Sequence, residues 1–467
     1  MIVVGFMTRQ DVLGLTSIVR ELCLNPKHYT GMLNFFRSRS WDVDGIIRRW
    51  VLVVAKFADV FCEDGMPVLI GDGVKAAKEA RRMPCVKRLH EAGGNSGSGS
   101  SSYMFGHMFG AIGILIGDAA KKLSLVPVSI RIHDGDAMIT KWANPNDDCQ
   151  SQRESHVVRV IREACGVARD LGKKSILLLD RYYLTVPALR ALLDEEVAAG
   201  AGGSLLSLVV RAKRNAVAYF KPDVVSNKPS RGRPRKKGEA LKVIDLFETA
   251  KDDFITAKVT LYGKEETISY LCRDLLWGQG LYQELRFVLV QMGSTKAIFV
   301  STDLLLAPEQ IIRLYSYRFK IECTFRELKQ VIAGFAYRFW TSSVPKLNRF
   351  AKSGIDNLET VTNRCDQFSI ALTHKAITGF VMLSSIALGL LQMLSLRFAN
   401  TINNTSTRWL RTKSNKIPSE ATTAQLLGKT IFRTFGKRHG LDILHFIEER
   451  QSPIDDVDCV LGLGEVA

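Results

Sequence analysis

Three acidic side chains stand out because of the segments that carry them. Asp72 closes the apolar run Pro67-Val-Leu-Ile-Gly-Asp72-Gly73, and Asp180 closes Lys174-Ser-Ile-Leu-Leu-Leu-Asp180. Each reads as a buried strand stopped by an acid, the first followed by a turn. Glu322 lies within Leu314-Tyr-Ser-Tyr-Arg-Phe-Lys-Ile-Glu-Cys-Thr-Phe-Arg-Glu-Leu-Lys329. Carboxylates at the ends of two neighbouring strands, about 4.8 Å apart, can share one hard cation. A third carboxylate, from a helix packed on that edge, would complete a site for two ions roughly 3.5–4 Å apart. One ion would activate water or a hydroxyl, and the other would stabilise the leaving oxygen of an in-line phosphoryl displacement. Such chemistry calls for acids rather than His or Cys, because Mg²⁺ prefers oxygen ligands. Strand-end aspartates also form turns, and Asp118, Asp134 and Asp136 are rival acids at other strand ends.

The elements that must position these acids follow from hydrophobic spacing. Pro308-Glu309-Gln310 reads as the first turn of a helix, with Ser301, Thr302 or Asp303 near its cap. At about 100° per residue, Tyr315, Arg318, Glu322 and Lys329 fall within an arc of roughly 60°. Leu314, Ile321, Phe325, Leu328 and Ile332 form a core stripe beside it. One helix thus packs its apolar side and holds a carboxylate among two cations and a phenol, a pattern that a solvated face also shows. Elsewhere, strand-like runs cover 104–116, 123–132, 205–210, 286–292 and 297–300, and helical spacing covers 157–171 and 187–197. Strands alternating with helices imply a partly parallel sheet, with sites outside the carboxyl ends of its strands.

Five regions follow. Residues 1–64 are helical and basic, either touching DNA or capping the core. Residues 65–214 hold the first part of an α/β core. Residues 215–284 break into short strand-like pieces and read as a β-rich insertion. Residues 285–345 return to the core with Glu322, and 346–467 are helical with an acidic tail.

Composition narrows the function classes. The chain has 467 residues, 46% apolar, and Lys plus Arg exceed Asp plus Glu by 17. That excess is expected of a protein that meets a polyanion, most simply nucleic acid. Nine cysteines are scattered with no C-x-x-C pair, which argues against a disulfide framework or zinc ribbon and for a reducing compartment. No basic segment leading into an apolar run marks a signal peptide, so a cytoplasmic location is expected. The segment 377–398 is nearly long enough to span a bilayer, but serines, Gln392 and Arg397 interrupt it, and a helix buried in a large core is expected instead. No repeat of 20–50 residues occurs.

Tyr315-x2-Arg318-x3-Glu322-x6-Lys329 reproduces the Y-R-E-K signature of bacterial insertion-sequence transposases of the DDE type, and the chain resembles the group named for insertion sequence four. The order Asp72-Gly73-x-Lys75, then Asp180-Arg-Tyr-Tyr, then Ser301-Thr302-Asp303-Leu304 is similar as well. So are Glu327-Leu-Lys-Gln330 and Tyr337-Arg338-Phe339-Trp340. The similarity covers roughly residues 65 to 395. It implies an α/β fold: a ribonuclease-H-like mixed sheet flanked by helices, with a β-rich insertion domain between the second Asp and the Glu and helical N- and C-terminal regions. It implies that Asp72, Asp180 and Glu322 bind two Mg²⁺ or Mn²⁺ ions, while Tyr315, Arg318 and Lys329 hold phosphates at the element end, with Arg326 beside them. The expected partners are terminal inverted repeats and target DNA, bridged by a homodimer, with nucleoid association when DNA is bound.

A second signal is Ser230-Arg231-Gly232-Arg233-Pro234-Arg235-Lys236-Lys237-Gly238. Arg-Gly-Arg-Pro is the core of an AT-hook, whose arginines enter narrow A·T-rich minor grooves; a solvated basic turn would read the same. Either way, Arg231, Arg233, Arg235 and Lys236 add phosphate affinity. In relatives that form a hairpin, an insertion-domain aromatic stacks on a flipped base; Trp277 is the candidate, with core packing as its alternative. His90, His107 and His133 suggest no metal pair. The resemblance thus implies a DNA transposase that cuts element ends and joins a 3′-hydroxyl to target DNA. The rivals are a metal-dependent nuclease that does not join and a transposase-derived DNA-binding protein that has lost catalysis.

Overall fold

The computed structural model describes residues 1–11, 13–90, 103–143, 154–200, 204–222, 235–348, 357–405 and 417–439. Four helices open the chain: α1 (Ile2–Thr8), α2 (Leu15–Glu21), α3 (His28–Arg37) and α4 (Val43–Phe57). Strands β1 (Cys62–Glu63), β2 (Met66–Ala77), β3 (Lys87–His90), β4 (Tyr103–Asp118) and β5 (Lys122–Ile132) follow, then α5 (Ala137–Ala143) and α6 (His156–Leu171). Next come β6 (Ser175–Leu179), α7 (Val186–Ala198), β7 (Leu206–Arg211), β8 (Val217–Tyr219), β9 (Ala240–Lys242) and α8 (Leu246–Thr249). The strands β10 (Ile255–Leu261), β11 (Lys264–Trp277), β12 (Gln283–Met292) and β13 (Thr295–Ser301) lead to α9 (Pro308–Tyr317) and α10 (Lys320–Gln330). The helices α11 (Arg364–Arg397), α12 (Ala399–Asn404) and α13 (Glu420–His439) complete the described chain.

All strands join one 13-stranded mixed sheet, whose main path runs β3-β4-β2-β6-β7-β13-β12-β11-β8-β9, with β5 on β4 and β10 on β11. β2, β6 and β7 are parallel; β4 runs antiparallel beside β2, β5 antiparallel beside β4, and β13 antiparallel beside β7. Residues 215–284 do not form only short pieces. β11 is a 14-residue strand that pairs with β12 over its second half, so these strands extend the central sheet.

Alternation along the central strands sorts side chains to two faces. Val68, Ile70, Ile176 and Leu178 join the core beneath α9, α10 and α11. Leu69, Leu177 and Leu179 join the core beneath α4, α6 and α7. The segment read as nearly membrane-length is the spine of the first layer. α11 runs 34 residues and is the one described helix long and apolar enough to cross a membrane, yet it is mostly buried inside the fold. Phe380 meets Phe6, Phe36, Tyr337 and Phe339 edge-on or tilted, which fastens the N-terminal helices and the segment after α10 to it.

Candidate active site

β2 and β6 place two acids at one level. Their parallel register pairs Val68 with Ile176, Leu69 with Leu177 and Ile70 with Leu178. Carried two residues on, that register sets Asp72 opposite Asp180. Both share the parity of Ile70 and Leu178, so both face the layer that holds α9 and α10. Asp180 directly follows β6, as its sequence suggested. Asp72 does not end its strand: β2 continues to Ala77, because β4 goes on pairing with it from Asp72↔Ala111 to Ala77↔Gly106 after β6 has stopped. An acid at the last level of a neighbouring strand is as accessible from that edge as a strand-end acid.

The third acid arrives on a broken helix. The expected single helix is two, α9 and α10, separated at Arg318-Phe319, although Arg318 keeps α-helical angles (φ −53°, ψ −33°). None of Ser301, Thr302 and Asp303 caps α9. Ala307 is the cap residue, its N–H donating to Gln310 Oε1 at 2.9 Å, with Pro308 in the first turn. Asp303 instead accepts from Lys174 at 2.7 Å and Ser207 at 2.9 Å, tying the end of β13 to its neighbours. The core stripe is buried at Leu314, Ile321, Phe325, Leu328 and Ile332.

Arg318 sits where the acids converge. Its Nη2 donates to Asp72 Oδ2 at 2.5 Å and its Nη1 to Glu322 Oε1 at 2.8 Å. Burial works against its charge, but Asp72, Asp180, Tyr315 and Glu322 together hold its pKa above the usual value. Burial also pushes the Asp72 carboxyl up; Arg318 and the Gly73 N–H oppose the shift, and Asp180 adds to it. Tyr315 packs on Phe299 with the rings tilted and their centroids 4.6 Å apart, and burial raises its phenol to about 12. Glu322, Arg326 and Lys329 are exposed, and Arg326 pairs with Glu327. Asp72, Asp180, Tyr315, Arg318 and Glu322 are therefore brought together, while Arg326 faces away into solvent.

The rival acids are engaged elsewhere: Asp118 with Lys121, Asp134 with Lys87, and Asp136 in a two-point pair with Arg159. Arg231 and Arg233 lie outside the described residues, as does the acidic tail. Arg235 and Lys236 are exposed before β9. Trp277 is half-buried and packs against the α6-side core. These strands also carry Tyr262, 74% exposed at the β10–β11 turn. Its sequence setting, Tyr-Gly between two strands, was the signal that could have marked it.

Among the described residues, no three His, Cys, Asp or Glu side chains are grouped closely enough to hold an ion. The guanidinium of Arg318 supplies positive charge between Asp72 and Glu322 instead. Asp72, Asp180 and Glu322 are all carboxylates with no thiol or imidazole among them, a donor chemistry that would suit a hard divalent cation drawing them together. The fold and site thus define a class first: an α/β protein whose acids meet at the edge of a mixed sheet beside a cationic helix. Residues 150–342 match the family model described as a transposase DDE domain, a span that includes Asp180, Tyr315, Arg318, Glu322 and Lys329 but less than half of the chain. That stretch of the chain is therefore similar to a transposase DDE domain. No curated protein and no solved structure matches it.

Proposed function

We propose that this chain is a DNA transposase of the insertion-sequence-four group, which cuts the ends of a mobile element and joins the freed 3′-hydroxyl to target DNA. The observation that carries the reading is the bonding of one guanidinium, Arg318, to both Asp72 and Glu322, with Asp180 within its field. The strand order β5-β4-β2-β6-β7, antiparallel then parallel, supports a ribonuclease-H-like core. The three acids would hold two Mg²⁺ or Mn²⁺ ions, which when bound supply an activated nucleophile and neutralise the leaving oxygen.

The protein's own residues do the rest. Arg318 retains a buried Nε with no hydrogen-bond partner, a donor suited to a phosphate oxygen. Tyr315 presents a phenol that stays protonated at neutral pH and can donate to the same phosphate. Lys329, exposed two turns further along the same helical face, adds charge along the backbone of the bound DNA. The net charge of +17 supports a nucleic-acid partner, and one active site per element end implies a homodimer bridging two ends.

The test uses the purified full chain with Mg²⁺ and a labelled fragment carrying the inverted repeat that flanks its reading frame. The wild type cuts the fragment, while Glu322→Gln binds it and does not cut. Equal cutting by the variant removes the acid from catalysis. Transfer of the labelled end into a second duplex separates a transposase from a nuclease that cannot join.

A further inference from the structure

A hydrogen-bonded chain of four side chains lies under the acid pair, on the α6 face of the sheet. Glu163 Oε1 meets His133 Nε2 at 2.7 Å, His133 Nδ1 meets His156 Nδ1 at 2.9 Å, and His156 Nε2 meets the Tyr183 hydroxyl at 2.8 Å. His133 and Tyr183 are buried at 3% and 2% exposure. We propose that this chain is the positioning device of the acid pair: it locks the turn that carries Asp180 against the strand that carries Asp72. The proposal rests on the reading of those acids as cation ligands.

The turn is short and closed at both ends. Tyr183 N–H donates to the Asp180 carbonyl at 3.0 Å, and its side chain is anchored to His156, the first residue of α6. The neighbouring strands are shaped for the two rings. A side-chain carbon at Gly73, the residue after Asp72, would stand 2.8 Å from His156 Nε2, and one at Gly110 would fall on the His133 ring. Any shift of His156 therefore presses on β2 beside Asp72, and any shift of Tyr183 moves the Asp180 turn.

The hydrogen bonds run one way. Burial opposes charge on Glu163, yet His133, Arg131 and Arg159 hold its pKa at about 2, so it is an acceptor. With a neutral His133, Nε2 donates and Nδ1 accepts, which puts the His156 proton on Nδ1 and leaves His156 Nε2 as acceptor. In that tautomer Tyr183 donates its hydroxyl proton to His156, which fixes the phenol in one orientation. The phenol in turn lies within the field of Asp72, Arg318 and Asp180. A buried polar chain in which every link is satisfied is rigid, and such supports commonly change metal affinity by about tenfold or more when cut.

The experiment measures Mn²⁺ binding to the full chain without DNA, from the magnetic resonance signal of the free ion. Tyr183→Phe removes one oxygen and should weaken binding roughly tenfold, as should His156→Leu. His156→Gln keeps an acceptor for the Tyr183 hydroxyl and should bind close to wild type. Asp72→Asn should abolish binding. If Asp72→Asn binds like wild type, the cation-ligand reading itself fails. If Asp72→Asn loses binding but Tyr183→Phe does not, the reading stands and the positioning chain is wrong. Equal losses in His156→Gln and His156→Leu overturn the hydrogen-bond argument. Should either His156 variant lose its cooperative thermal transition, Tyr183→Phe decides alone.

Discussion

Arg318 is the side chain on which the acids depend in the absence of any cation. Asp72 is largely withdrawn from water, and Asp180 stands at its level on the next strand, so removing the guanidinium leaves two like charges facing each other. Arg318→Met should cost about 2 kcal/mol or more at neutral pH, somewhat under the range for breaking a fully buried pair because both partners keep some exposure. Millimolar Mg²⁺ should then raise the melting temperature of the variant more than that of the wild type, because the ion supplies the charge that Met lacks. An equal rise in both would separate Arg318 from the cation site. A second residue sets acid sensitivity. His107 is enclosed between the Tyr337 hydroxyl at 2.6 Å and the Pro84 carbonyl at 2.7 Å, and burial lowers its pKa to about 3. An unfolded histidine takes up its proton near pH 6.5. Between these values the unfolded state binds more protons, so stability falls as the pH drops. Denaturant titrations from pH 7 to pH 5 should show a loss approaching about 1.4 kcal/mol per pH unit from this group, and His107→Gln should make the decline shallower.

At the scale of elements, backbone clearance decides what the strands can carry. β4 passes directly under the His133 ring at Gly110, and a methyl group there has no room. Gly110→Ala should destabilise the protein by about 2 kcal/mol or more through overpacking, read from a denaturant midpoint. His133→Ala in the same chain should recover part of that loss, because the two positions contest one volume; strict additivity would show that the strain lies elsewhere. These elements were unevenly legible. The strands ending near Ile132, Leu179 and Val210 show in their apolar runs, and the stripe of Leu314, Ile321, Phe325, Leu328 and Ile332 is buried as its spacing demands. The continuation of β2 past Asp72 was hidden, since Asp-Gly is ordinarily a turn pair. Pairing with β4 overrides that preference by supplying backbone partners to residues 73–77.

For the whole molecule, charge and layering matter most. An excess of 17 positive charges predicts DNA affinity that falls steeply with salt. Replacing exposed Arg235 and Lys236 by Gln should reduce the slope of log affinity against log salt by about one unit for each phosphate that is no longer neutralised. An unchanged slope would take that strip out of the DNA interface. The long apolar segment shows why hydropathy alone misleads at this scale. α11 is as apolar as a spanning helix, but it is the axis around which α1, α3 and the segment after α10 close, with Phe380 at the aromatic centre.

The sequence by itself determined the basic excess and most of the order of strands and helices, and it nominated the three acids and the four residues around Glu322, because these depend on residue type and local spacing. Only the tertiary structure decided which acids share a level. The level of Asp72 with Asp180 follows from a register between strands far apart in the chain, and no local pattern encodes that offset. The same holds for Tyr183, His156, His133 and Glu163. Each is an ordinary core or helix residue by its neighbours, and they become one hydrogen-bonded chain only when α6 packs on the sheet over two glycines that leave space for the rings.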